Sequence, residues 1–305
     1  MQRILSTGVL VGLLVATAAA FAITERLKLT KSPITGTKIV RGYVSPHAHT
    51  TAAVRIRFRR ADRVTATILD SHGHDMDTLA YRLPVRRGYR TFAWNGLTDV
   101  RRVPGDGIYR LEIHFTNQHR TILLPNPIVL DTRPPAVLDA GAVRPVFSPD
   151  GDHQSDTVTI HYKLNEDAHV LVFLDGQRII RGRSSLPKNK VSWNGTVDGR
   201  LLPPGTYTLV VSALDLAGNR AAEVQQVSVQ LRYIALGAPR VRARGAAVVR
   251  IGVSTDAKRY RWSLAGRTGT SSARVLRVRA PRSAGTYTLT VSEHGHSARA
   301  VVVVG

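Results

Sequence analysis

The residues of this 305-residue chain best placed to do chemistry are the acids of Ser148-Pro149-Asp150-Gly151-Asp152-His153-Gln154-Ser155-Asp156. Asp150, Asp152 and Asp156 set carboxylates at i, i+2 and i+6 around a glycine, and that spacing can wrap one hard cation such as calcium. The same residues also read as an Asp-Gly turn entering a strand, with the Asp side chains capping backbone amides. The corresponding stretch nearer the amino terminus, Ser45-Pro46-His47-Ala48-His49, contains no acid. A metal is therefore not needed for the turn itself.

Histidine offers a second chemistry. His47/His49, His72/His74 and His294/His296 are each spaced i, i+2, which on a strand puts both rings on one face. His72-Gly73-His74-Asp75 carries donors suited to zinc or copper. Three separated pairs do not make one site, and solvated turns are the expectation. No Gly-x-Ser-x-Gly, His-Glu-x-x-His or phosphate-binding loop occurs. The paired acids Glu166-Asp167 fall where a turn between strands is expected. The chain has no cysteine, which excludes disulfides, thiol catalysis, Cys-ligated zinc and iron–sulfur clusters. The expectation is a protein without enzymatic activity, with no catalytic residue and no cofactor other than calcium.

Charge is the third signal. Lys and Arg number 43 against 21 acids, a formal charge of +22. Residues 38–131 carry net +7, residues 132–231 net 0, and residues 232–305 net +12 from 14 basic and 2 acidic residues. Arg240, Arg242 and Arg244 alternate, as do Arg259 and Arg261, then Arg277 and Arg279. Alternate residues share a strand face, so these would form basic stripes able to bind anionic lipid heads, wall polymers or nucleic acid. Arginine on exposed strands also blocks edge pairing without any ligand. Few aromatics stand among these arginines, which speaks against nucleic acid.

The elements that must position these residues are strands. Val54, Ile56 and Phe58 alternate with arginines. Tyr109, Leu111, Ile113 and Phe115 alternate with Arg110, Glu112 and His114. Val158, Ile160, Tyr162 and Leu164 do the same, as do Tyr207, Leu209, Val211 and Ala213. A period of two marks half-buried strands. Turns such as Pro104-Gly105 and Pro203-Pro204-Gly205 separate them at short intervals, as in β-sandwiches. The texture repeats. Trp94-Asn95-Gly96 returns as Trp193-Asn194-Gly195, each followed by Pro-Gly and a strand opening at Tyr109 or Tyr207. Gly285-Thr286-Tyr287 copies Gly205-Thr206-Tyr207 in a third, divergent unit. Each Trp should end a strand, Asn-Gly should take positive-φ turn positions, and each Tyr should pack inward with its hydroxyl on a loop backbone.

The second repeat resembles the bacterial Ig-like domain of the flagellar hook-capping (FlgD-type) family. The resemblance rests on Phe147-Ser148-Pro149-Asp150-Gly151-Asp152, the strand Val158–Leu164, Trp193-Asn194-Gly195, Pro203-Pro204-Gly205-Thr206-Tyr207 and Asp215-Leu216-Ala217-Gly218-Asn219. It is best over residues 142–230 and weaker over 38–131. It implies an Ig-like sandwich serving as spacer, carrier or binding module, not a catalyst.

At the amino terminus, Ile4 to Ile23 are 20 consecutive uncharged residues, a helix length that spans the ~30 Å bilayer core. The segment reads as a signal anchor, or as a signal peptide cleaved near Ala20-Phe21-Ala22. The fold expected is all-β: tandem Ig-like sandwiches behind one transmembrane or signal helix. Its parts would be residues 1–31 for the anchor, 38–131 and 136–231 for two Ig-like sandwiches, and 232–305 for a basic third. The expected role is a single-pass membrane protein with its bulk outside the cytoplasm, secreted if cleaved, acting as a spacer or binding module of the cell envelope. Three alternatives accompany it: a polyanion binder acting through the third unit, a calcium-stabilised adhesion module, and a carrier subunit of a secreted enzyme complex.

Overall fold

The computed structural model describes residues 13–21 and 31–305. Residues 13–21 are helical. The rest of the apolar run expected to anchor the chain lies outside the described residues. Nine helical residues rise only ~14 Å, and among the described residues no helix is long and apolar enough to cross a membrane. The remaining regular structure is strand, in two compact units, residues 1–132 and 133–305.

The first unit holds one sandwich. Its strands are β1 (Ile34–Arg41), β2 (Tyr43–Val44), β3 (Ala52–Phe58), β4 (Asp62–Leu69), β5 (Asp75–Val85), β6 (Gly88–Trp94), β7 (Gly107–Phe115) and β8 (Arg120–Leu130). One sheet runs β1-β3-β6 and the other β2-β8-β7-β4-β5. The short β2 pairs parallel to β8, and the other pairings are antiparallel. Two sheets with this crossing of strands between them form the immunoglobulin-like sandwich. The alternation read in the sequence sets the faces: Val54, Ile56 and Phe58 are buried and Arg55 and Arg57 exposed on the same strand. Phe58 meets Phe115 edge-on across the core, centroids 5.9 Å apart.

The second unit holds two sandwiches with separate cores. The first of these has β9 (Val137–Ala142), β10 (Val146–Phe147), β11 (Val158–Leu164), β12 (Ala168–Leu174), β13 (Gln177–Arg181), β14 (Lys188–Trp193), a small hairpin of β15 (Thr196–Val197) and β16 (Arg200–Leu201), then β17 (Gly205–Asp215) and β18 (Gln225–Leu231). Its sheets are β14-β11-β9 and β10-β18-β17-β12-β13. The last sandwich has β19 (Ala235–Leu236), β20 (Arg240–Ala243), β21 (Val248–Ser254), β22 (Tyr260–Leu264), β23 (Arg267–Ser271), β24 (Val275–Arg279), β25 (Gly285–Glu293) and β26 (His296–Val304). Its sheets are β19-β21-β24 and β20-β26-β25-β22-β23. All three sandwiches thus share one strand order, each with a short parallel pairing onto the last strand. The third keeps it without a Trp-Asn-Gly element, so that element is not required for the topology.

Trp94 ends β6 and Trp193 ends β14, both buried. Their indole Nε1 atoms donate to the carbonyls of Leu97 and Thr196 at 2.8 and 2.9 Å. Only the glycines of the motif take positive φ, 80° at Gly96 and 77° at Gly195. Asn95 and Asn194 do not, contrary to the expectation. Their side-chain oxygens instead accept the backbone amides of Leu97 and Thr196, an Asx turn. Each tyrosine hydroxyl donates to the carbonyl four residues upstream: Tyr109 to Gly105 and Tyr207 to Pro203 at 2.6 Å, Tyr287 to Ser283 at 3.0 Å. This tyrosine corner fixes the turn into β7, β17 and β25.

Candidate functional site

The acidic stretch is the ten-residue connection from β10 to β11, three residues longer than the connection from β2 to β3. Its acids divide their work. Asp156 accepts the amides of Gly151 and His153 with its two oxygens, both at 2.9 Å. Asp152 accepts the amide of Gln154 at 2.7 Å and the Gln154 side-chain amide at 2.9 Å. Asp150 uses Oδ1 on the amide of Asp152. Asp156 is therefore spent on the turn, and the expected trio does not converge.

What converges instead comes from two sandwiches. Asp150 meets Asp256, from the β21–β22 connection, and Glu293, the last residue of β25. Their carboxylate oxygens lie within 4.8 Å of one another. Asp150, Asp152 and His294, from the β25–β26 turn, form a second group inside the same limit. The Asp150 side chain is 0% exposed, and His294 Nδ1 stands 3.5 Å from its Oδ2. Asp150 Oδ2, both carboxylate oxygens of Asp256 and Glu293 Oε2 are buried without a hydrogen-bond donor. Glu293 is 7% exposed, and its Oε1 accepts the Thr255 hydroxyl at 2.5 Å. Burial first, then Asp150, Asp152 and Glu293, push the Asp256 carboxyl up to about 6. Burial, reinforced by Asp150 and Asp152, also raises Glu293, while the Thr255 hydroxyl opposes the rise.

Sequence reasoning found one side of this cluster and missed the other. Asp256 and Glu293 belong to no local motif. Their signal was compositional: they are the two acids of the +12 segment.

Of the predicted histidine pairs, His294/His296 brings His294 to this cluster. His72 and His74 flank the β4–β5 turn with stacked rings 5.9 Å apart. Asp70 Oδ2 lies 3.0 Å from His74 Nδ1 and 3.7 Å from His72 Nδ1. Both rings are about three-quarters exposed. The amide of His74 and burial act oppositely on Asp70, and with the further hydrogen bonds from His74 and His72 its carboxyl falls to about 2.

The arginines do not form one patch. Arg240 and Arg242 on β20 and Arg261 on β22 are exposed on the five-stranded sheet, and Arg277 and Arg279 on β24 are exposed on the opposite, three-stranded sheet. Arg277 pairs in register with Arg250, not with an acid. On the larger sheet β20 and β22 are three strand spacings apart, ~14 Å. Arg244 and Arg259 stand exposed beside the strands.

No family model and no curated protein matches this chain. Among solved structures, the D0-D1 domain of intimin has 12% identity and a TM-score of 0.26, covering 65% of this chain and 98% of that one. A Bacteroides ovatus protein of a mixed-linkage glucan utilization locus, SGBP-B in complex with a mixed-linkage heptasaccharide, has 15% identity and a TM-score of 0.23, with 91% and 69% covered. The N-terminal four Ig domains of Dscam1 isoform 6.9 have 15% identity and a TM-score of 0.21, with 90% and 74% covered. At such distances no residue or ligand transfers to this chain.

Proposed function

We propose that this protein is a non-enzymatic spacer or binding module of the cell envelope, built from three Ig-like sandwiches and held outside the cytoplasm by its apolar amino-terminal run. The observation that carries the reading is the threefold reuse of one strand order, with each core closed on itself. The groups that recur between repeats, Trp94 and Trp193, Tyr109, Tyr207 and Tyr287, are spent on internal hydrogen bonds. They hold turns, which supports a scaffolding role for the repeated residues. The hook-capping-type resemblance of the second sandwich fits the same reading, because such domains present surfaces to partners. External protease added to intact cells that carry the full chain tests it. Cleavage within residues 32–305 is expected while a cytoplasmic control stays whole. Protection of the chain until the cells are lysed contradicts it.

A second reading is supported by the third sandwich alone. Its +12 charge and two arginine-bearing faces suit anionic lipid heads or wall polymers. On this reading the third sandwich grips the envelope.

A further inference from the structure

We infer that the joint between the second and third sandwiches is a calcium site, held by Asp150 from one and by Asp256 and Glu293 from the other. The inference is independent of where in the cell the protein acts.

The first argument is geometric. Calcium binds oxygens at 2.3–2.6 Å, so two ligands of one ion stand at most ~5 Å apart. The oxygens of Asp150, Asp256 and Glu293 meet that limit. The second is the state of those oxygens. Three of them, on Asp256 and Glu293, are buried without a donor; Asp150 Oδ2 makes no hydrogen bond and stands 3.5 Å from the His294 imidazole in a wholly inaccessible side chain, and Glu293 is 7% exposed. A buried carboxylate oxygen with neither donor nor cation is strongly unfavourable. Ser148 Oγ is likewise buried without a partner, and Ser148 lines the same cleft as Thr255 and Asp256.

The third argument is charge placement. The last sandwich has 14 Lys and Arg residues and two acids. Both acids point at the acidic loop of the neighbouring sandwich, and neither forms an ion pair with Lys or Arg among the described residues. Ordinary surface pairing would have used the arginines. An all-oxygen set of three carboxylates selects a hard cation, and a set drawn irregularly from two loops and a strand end suits calcium over magnesium, which demands tight octahedral geometry and keeps its waters.

A cation here does more than stabilise one loop. Its ligands belong to two sandwiches, so binding fixes their joint, already framed by the Arg232–Ser254 hydrogen bond. Removing it leaves carboxylates repelling each other across that joint.

Calcium titration of the full chain in detergent micelles, by calorimetry after chelation, tests this with the wild type, Asp256→Asn and Glu293→Gln. One site per chain is expected, with affinity falling at least ~10-fold in each variant. Thermal unfolding adds a second readout. Calcium should raise the wild-type melting temperature. Each variant should melt at or above the chelated wild type, because a repelling charge has gone, and should lose the calcium response. No calcium binding by the wild type overturns the inference. So does binding that survives unchanged in both variants, which would put the ion in the β10–β11 loop alone. A response to zinc or manganese without one to calcium overturns the ion assigned.

Discussion

Tyr233, which closes the core of the second sandwich, lies flat on His296 of the third, ring centroids 3.4 Å apart and planes within 6°. The two residues differ in what they support. Tyr233 is 6% exposed, whereas His296 begins β26 half-exposed. Tyr233→Ala should lower stability by about 3–5 kcal/mol, as for other large aromatics removed from a core. His296→Ala should cost about 0.5–1.5 kcal/mol, the worth of an aromatic pair. Denaturant unfolding of the full chain, followed by a probe in the second unit, measures both. Equal losses would contradict the assignment.

The tyrosine corners predict a small, uniform effect. Tyr109→Phe and Tyr207→Phe keep the ring and remove one hydrogen bond to Gly105 or Pro203. Each should cost about 1 kcal/mol. A neutral result in both would show that the hydroxyls do not hold these turns.

Glycine gives a graded test inside one sandwich. Gly195 and Gly199 both have positive φ, 77° and 75°. A Cβ on Gly195 would stand 2.8 Å from Leu231 Cδ1, while at Gly199 it would meet nothing within 4 Å. Gly199→Ala should cost about 1–2 kcal/mol of backbone strain. Gly195→Ala should cost more, because strain is joined by overpacking worth a further ~1–3 kcal/mol. Unfolding midpoints that rank the two in reverse would contradict this.

The first sandwich should be more stable in mild acid than at neutral pH. Burial first, then a hydrogen bond with the Asp99 carboxyl and its charge, lift Asp77 from 3.8 to about 6. Between about pH 4 and 6 the folded chain holds more protons here than the unfolded chain does. Stability therefore falls as pH rises through that window and is greater near pH 5 than near pH 7. Asp77→Asn should flatten the dependence. A wild-type profile that rises from pH 5 to 7 in the first unit, with Asp77→Asn unchanged, contradicts it.

How much of this was legible in sequence depends on the range of the interaction. Val54-Arg55-Ile56-Arg57-Phe58 betrays its strand because the pleat repeats every two residues. Trp193 and Tyr207 betray their turns because their partners, Thr196 and Pro203, are three and four residues away. The parity of Arg240, Arg242, Arg277 and Arg279 correctly put them on outer faces. It could not show that β20 and β24 belong to opposite sheets, which depends on strand order. The acidic loop was read as self-contained because Asp156 has the right spacing. In the fold Asp156 turns to its own loop's amides, and Asp150 finds Asp256 and Glu293 more than 100 residues away.

The joint between the second and third sandwiches is tested most directly by hydrogen exchange of the full chain with and without calcium. Calcium should slow exchange together in residues 148–157, 255–259 and 292–296, and leave the first sandwich unchanged. Protection confined to 148–157, or none at all, would contradict a cation shared across that joint.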